Sequence, residues 1–179
     1  MNKKIRVLIV EDNEDEREFI RDGFIGSGLY EVIGEAANGD EMLRFLQQQP
    51  ASMPDVIFSD LNMPVRNGYE VIVDVKSNSA FSHIPIVILT TAASVIYADR
   101  CKKLGACAYF TKPDTYLEYT QFGKKIYPDI KACLDSTLQC SSISAFLQNL
   151  LRKCAAALNL TKLIGLQAPS TTFNLSSPK

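Results

Sequence analysis

The sequence predicts an α/β fold in which five strands alternate with five helices around a mostly parallel sheet, and three observations carry that expectation. Short apolar runs recur at a regular beat: Ile5 to Val10, Tyr30 to Gly34, Val56 to Ser59, Ile86 to Leu89 and Ala106 to Phe110. Runs such as Ile86 to Leu89 are apolar throughout instead of alternating, as befits strands covered on both faces. Between the runs the apolar period becomes helical, and glycine or proline closes each segment.

Taken in order, Ile5 to Val10 makes the first strand, and the acids Glu11 and Asp12 end it. A helix beginning near Asn13 gathers Phe19, Ile20, Gly23 and Phe24 on one face and stops at Gly26 or Gly28. Tyr30 to Gly34 is the second strand. Met42, Leu43, Phe45 and Leu46 mark the next helix, closed by Pro50 and Pro54. Val56 to Ser59 is the third strand, and Val71, Ile72 and Val75 repeat the helical pattern after it. Pro85 introduces the fourth strand, and Gly105 separates the helix that follows from the fifth strand. A fifth helix starts near Asp114 with Tyr119, Phe122, Ile126 and Ile130 at helical spacing, and Pro128 inside it predicts a kink or an early stop. These elements fill a domain over residues 1–135. Beyond it, Ile143, Phe146, Leu147, Leu150, Leu151, Cys154 and Leu158 describe an amphipathic helical extension over residues 136–166. The Pro, Ser, Thr and Asn of residues 167–179 read as a flexible tail.

Composition excludes several classes. The chain has 179 residues, a formal charge of −1, five cysteines and one histidine. The N-terminal apolar stretch is too short for a signal peptide and runs at once into acids, and no run approaches a membrane span, so a cytoplasmic protein is expected, with no membrane partner. Cys101, Cys107, Cys133, Cys140 and Cys154 form no CxxC pair, which argues against zinc and for buried, reduced thiols. His83 precedes Ile-Pro in a loop and makes a poor catalytic base. After Asp135 the chain keeps Arg152, Lys153, Lys162 and Lys179 but no acid. Four scattered cations do not make a nucleic-acid patch, and no helix-turn-helix pattern appears, so a DNA-binding transcription regulator is the weaker reading.

The polar residues of interest directly follow the apolar strand cores: Glu11 and Asp12 after the first, Asp60 after the third, Thr90 after the fourth and Lys112 after the fifth. In a parallel sheet those positions share the carboxyl edge, where open α/β sheets bind ligands. Three carboxylates at roughly 5 Å repel by about 3 kcal/mol per pair at an effective dielectric near 20, so a positive group must compensate them. Lys112 supplies one charge, and a hard cation with oxygen ligands, Mg2+, would supply the rest. An acid, a metal, a lysine and a hydroxyl around an open position suit a phosphoryl group, and a carboxylate can serve as the nucleophile. Taken singly each residue has an ordinary explanation. Glu11 and Asp12 could cap the first helix, Asp60 could be a turn residue, Thr90 could cap the helix after it, Lys112 could be solvated, and Tyr109 could be core. Their conjunction at strand ends is what points to chemistry.

From Arg6 to about Ile130 the chain resembles the receiver domain of two-component response regulators, with "VLIVEDNEDE", "PDVIFSDLNMPVRNGYEVI", "IPIVILTTAA" and "GACAYFTKPD" in the family's order. Thr90 lies thirty residues after Asp60, and Lys112 twenty-two after Thr90, as in that family. The resemblance implies a doubly wound, flavodoxin-like five-stranded parallel sheet of order 2-1-3-4-5 flanked by five helices. It implies that Asp60 is the phosphoacceptor, taking its phosphoryl group from a histidine kinase or phosphotransfer protein. Asp12, Asp60 and the Asn62 carbonyl would bind Mg2+, with Glu11 acting through water and standing where many members have aspartate. Lys112 would pair with phosphoryl oxygens, and its bond to Pro113 would be cis. Thr90 would bond the phosphoryl group, and Tyr109 would swing inward to reshape the surface of the fourth helix, fifth strand and fifth helix. Pro64 and Gly68 match the family's site-shaping loop. The chain would then act as a signalling switch, promoting only its own phosphorylation and dephosphorylation.

The apolar stripe of the extension has to be covered, by the receiver, by a second copy in a homodimer, by a groove on a downstream protein partner or, less well, by a membrane surface. A constitutive interaction scaffold working through the C-terminal helix is the alternative to a phosphorylation switch.

Overall fold

The computed structural model of the chain describes residues 3–49 and 52–136. Strands β1 (Ile5–Val10), β2 (Tyr30–Ala36), β3 (Val56–Asp60), β4 (Ile86–Thr90) and β5 (Ala108–Thr111) form one sheet in the order β2-β1-β3-β4-β5. Every neighbouring pair is parallel. Helices α1 (Glu14–Ser27), α2 (Gly39–Gln48), α3 (Gly68–Ser77) and α4 (Val95–Leu104) connect them. A fifth helix, α5, occupies residues 119–136 after a 3-10 turn at Tyr116–Glu118. Strand order reverses at β1, so the crevice between the carboxyl ends of β1 and β3 is the topological switch point.

Alternation along each strand sends successive side chains to opposite faces and builds two cores. On one face Leu8, Val10, Ile57 and Ile88 pack with Met42 and Leu46 of α2, Val71, Ile72 and Val75 of α3, and Cys101 of α4. On the other, Val7, Ile9, Phe58, Val87 and Leu89 pack with Ile20 and Phe24 of α1 and Tyr119, Ile126 and Ile130 of α5. Burial on both faces explains the apolar runs Val56 to Phe58 of β3 and Ile86 to Leu89 of β4, two strands in which every residue is buried.

Helix starts are set by side-chain caps. Asn13, Asn38 and Ser94 accept from the N–H three residues on, and Asn67 closes a reciprocal capping box with Glu70. Neither the Glu11–Asp12 pair nor Thr90 is therefore the cap of its helix. Gly28 and Gly105 end α1 and α4 with φ of 76° and 108°, which glycine adopts without steric cost.

Three expectations are corrected. The fifth helix does not stop at Pro128, because Ile126, Ile130 and Cys133 are buried on either side and their packing outweighs one missing N–H bond. Among the described residues no peptide bond is cis, so Lys112–Pro113 takes the trans form, favoured for an X–Pro bond by about 0.5–1 kcal/mol. The cysteines are not all reduced thiols: Cys107 and Cys133 form a disulfide with Cα atoms 6.0 Å apart, inside the bridging range, while Cys101 is free and buried. Cys140, Cys154, the extension over 136–166 beyond its first residue, and the tail over 167–179 lie outside the described residues.

Candidate functional site

Because β1, β3, β4 and β5 run parallel, their carboxyl ends meet at one edge. Glu11 and Asp12 follow β1, Asp60 closes β3, Thr90 closes β4 and Lys112 follows β5. Glu11, Asp60, Thr90 and Lys112 are buried, and Asp12 and Asn62 are exposed at the rim.

The Lys112 ammonium joins the two buried acids. Its Nζ donates to Glu11 Oε2 at 2.7 Å and lies 3.0 Å from Asp60 Oδ1. The other Asp60 oxygen accepts from the Asn62 backbone N–H at 2.5 Å, and Glu11 Oε1 accepts from the Asn13 N–H at 3.3 Å. Asp60 is thus fixed from both sides, with its carboxyl group at the crevice.

Carboxylate oxygens of Glu11, Asp12 and Asp60 all lie within 4.8 Å of one another. Burial pushes the Glu11 carboxyl above its usual range, Lys112 opposes that shift, and the Asp60 charge adds to it. Burial works to lower the Lys112 amine, but Glu11 and Asp60 outweigh it and hold the ammonium above its ordinary value. One ammonium among three clustered carboxylates leaves a net excess of negative charge. A hard divalent cation with oxygen ligands fits that donor set and that excess.

The switch candidates meet at a single backbone unit. Thr90 Oγ1 accepts from the Ala92 N–H at 3.2 Å, while the Tyr109 hydroxyl donates to the Ala92 carbonyl. Tyr109 is half-buried and packs against the core formed with α2, α3 and α4.

The loop from β3 to α3 is tied down on both sides of the site. Arg66 bonds Asp40 of α2 at 2.7 Å and also Asp74 of α3. Gly68 opens α3 so close to β3 that an added Cβ would stand 2.5 Å from the Asp60 carbonyl oxygen and 2.8 Å from Leu61 Cα. Only a residue without a side chain allows that approach, the physical basis for glycine eight positions after Asp60.

Two members of the cluster escaped the sequence reading. Tyr119, 1 % exposed, donates its hydroxyl to Glu16 Oε2 at 2.7 Å, and that same oxygen lies 3.9 Å from Lys112 Nζ. The lysine is therefore backed by a third acid, itself held from the start of α5. Elsewhere among the described residues, no helix is long and apolar enough to cross a membrane.

The family model "Response regulator receiver domain" matches residues 7–119. The chain is 36% identical over 107 residues to the polar-differentiation response regulator DivK of Brucella anthropi, covering 60% of this chain and 83% of that protein. The fold matches the chemotaxis response regulator CheY4 of Vibrio cholerae with a TM-score of 0.58 at 31% identity, covering 69% of this chain and 99% of that one. Other relatives are much longer: the chain spans 8% of a histidine kinase of Formosa agariphila (36% identical over 65% of this chain). It spans 34% of a protein-glutamate methylesterase/protein-glutamine glutaminase of Clostridium acetobutylicum (35% identical over 66% of this chain).

Proposed function

The chain belongs to the response regulator receiver domain family, and from that premise we propose that residues 1–135 act as a cytoplasmic phosphorylation switch in which Asp60 accepts a phosphoryl group from a histidine kinase or phosphotransfer protein. The observation that carries this reading is the buried Lys112 ammonium bonded to both Glu11 and Asp60, with the Asp12 carboxylate beside them.

In this reading an Asp60 carboxylate oxygen bonds to phosphorus as the bond from phosphorus to the donor's imidazole nitrogen breaks. The Asn62 N–H keeps the carboxylate oriented for attack, which lowers the entropic part of the barrier. Lys112 exchanges part of its contact with Asp60 for the incoming phosphoryl oxygens, whose charge it offsets in a buried setting where electrostatics are strong. A divalent cation, Mg2+, held by Asp12, Asp60 and the Asn62 carbonyl with Glu11 acting through water, would supply further neutralisation of phosphoryl charge when bound.

Readout follows from Ala92. Once the Thr90 hydroxyl turns to the phosphoryl group, the Ala92 N–H loses its acceptor, and the Tyr109 hydroxyl on the Ala92 carbonyl is released in the same movement. The surface that changes lies on α4, β5 and α5, where Val95 and Ile96 are exposed at the start of α4 and offer apolar contact to a downstream protein.

Incubation with acetyl phosphate and Mg2+ tests the assignment. The intact mass is expected to rise by one phosphoryl group in the wild type and to stay unchanged in Asp60→Asn; equal labelling of both proteins would place the acceptor elsewhere.

A further inference from the structure

The Cys107–Cys133 disulfide lies away from the Asp60 crevice and has no part in the proposed phosphoryl chemistry. Cys107 is exposed in the turn between α4 and β5, with its backbone N–H bonded to the Ile86 carbonyl at 2.7 Å. Cys133 is buried on α5, one turn beyond Ile130. A cavity of about 400 Å³ lined by both cysteines, Phe110 and Asp129 opens beside the bond. The two cysteines are 26 positions apart, and the loop they close contains β5, Tyr109, Lys112, the 3-10 turn and most of α5. Every residue by which β5 and α5 reach the Asp60 site is inside that loop.

Two physical arguments make the bond more than a structural staple. Ile126 and Ile130 are buried against the sheet, so apolar packing as well as the bond holds α5 in place. In the reducing cytoplasm proposed above, disulfides are rare, and those that form are as a rule transient and catalytic or redox-sensing. An exposed cysteine paired with a buried one also defines a direction of attack, because exchange requires access for the incoming thiolate.

We propose that Cys107 and Cys133 form a reversible dithiol–disulfide modification site that exchanges with low-molecular-weight thiols and disulfides through Cys107, clamping the Lys112-bearing segment when oxidised. In reduction, an external thiolate bonds to Cys107 Sγ as the protein S–S bond breaks, and the electron pair leaves on Cys133 Sγ, which takes up a proton. A second external thiolate then attacks the outer sulfur of the mixed disulfide and frees Cys107 as a thiol. Two external thiols become one external disulfide, and the protein pair gains two electrons and two protons. Oxidation is the reverse, with a small disulfide as the electron acceptor.

The test uses the full chain in glutathione buffers from reduced to oxidised, quenched by alkylation and read by intact mass and peptide mapping. The expected result is a reversible two-thiol titration assigned to Cys107 and Cys133. Reduction should also lower Tm by roughly 10 °C, the size expected for opening a loop of this length, and speed amide exchange over residues 108–133 more than in β1 to β4. Cys133→Ser should accumulate a glutathione mixed disulfide on Cys107, and Cys107→Ser should label Cys133 far more slowly. The proposal is overturned if the bond survives a cytosol-like excess of reduced glutathione, if the thiols stay reduced in excess oxidised glutathione, if Cys133 pairs instead with Cys140 or Cys154, or if both variants label equally. Wild-type titration stands even where a serine variant folds poorly. None of these readouts involves Asp60, so their failure and that of the phosphoacceptor reading are distinguishable.

Discussion

Asp55 shows how much one side chain ahead of β3 contributes to register. Its Oδ1 lies 3.1 Å from the Arg6 guanidinium and its Oδ2 accepts the Arg6 backbone N–H at 2.9 Å, locking the entrance of β3 to β1. Burial works to raise this carboxyl, but the Arg6 bonds outweigh it and hold the group below its ordinary 3.8. A depressed carboxyl contributes stability that is complete above the unfolded value and is lost as pH falls through the folded one. Asp55→Asn is therefore expected to cost about 1–2 kcal/mol near neutrality. Urea melts should show that gap closing below pH 3.8, and a gap independent of pH would show that the charge is irrelevant. Val65 presents the opposite case, a residue working against the fold. It is 80% exposed with φ at 66°, and the Arg66 N–H reaches back to the Pro64 carbonyl at 2.7 Å in a tight turn. A β-branched residue is strained there, and Val65→Gly should raise the urea midpoint by an amount equivalent to up to about 1 kcal/mol, the relief being partly offset by added unfolded-state entropy. At this scale Asp12, Asp60, Thr90 and Lys112 were legible because each lies within two residues of the end of an apolar run. Glu16 and Tyr119 were not. An acid in a first helical turn is favoured by the helix dipole anyway, a tyrosine at helical spacing reads as core, and the two are 103 positions apart.

The junction of β3 with α3 is the element on which the site's shape depends, and Gly68 is its tightest point. In Gly68→Ala the new Cβ meets the Asp60 carbonyl oxygen at 2.5 Å, a backbone atom that cannot swing aside, so α3 must shift. A loss of about 1–3 kcal/mol is expected from thermal unfolding, together with weaker divalent-metal binding by calorimetry. Gly26→Ala is the contrasting substitution: it meets only the Thr120 side chain, the hydroxyl at 3.2 Å and the methyl at 3.7 Å, inside a helix where alanine is preferred, and once that side chain turns aside it should be neutral or stabilising by up to about 1 kcal/mol. If both variants melted alike, the close approach at Gly68 would carry no weight. The strand cores stood out in the sequence because burial on both faces leaves few polar interruptions. Their ends did not: β2 continues to Ala36 past Gly34, and β5 starts at Ala108 because the Ala106 N–H still bonds the Cys101 carbonyl at 3.0 Å. The early stop expected at Pro128 does not occur because local propensity gives way to the buried isoleucines around it. The cysteine pair was invisible for a different reason, since no local spacing encodes a bridge that depends on where α5 crosses β5.

At the scale of the molecule, two cores press on one sheet, and the carboxyl edge is where that sheet delivers three acids into mutual repulsion. The folded state therefore carries a strain at the Glu11, Asp12 and Asp60 cluster that Lys112 offsets only in part, and a divalent cation is expected to act as a stabiliser of the whole domain. By mass action, Mg2+ at a hundred times its Kd adds about 2.7 kcal/mol. In a chain of this length that corresponds to a rise in Tm on the order of 5–10 °C. Asp12→Asn should change both arms in opposite directions. Without metal it melts slightly higher than the wild type, because one repelling charge is gone, and with Mg2+ it melts lower. The pH dependence follows from Glu11, whose carboxyl is raised above 4.5 by burial and by the neighbouring Asp60 charge, against the pull of Lys112. A metal needs the deprotonated acid, so protons compete with it as pH falls into the window above 4.5, and the Mg2+ shift in Tm should be complete at pH 8 and visibly smaller at pH 5. Calorimetric scans at both pH values, with and without Mg2+, decide the matter: equal shifts at pH 5 and pH 8, or a full shift retained by Asp12→Asn, would mean that the cation acts somewhere other than this edge.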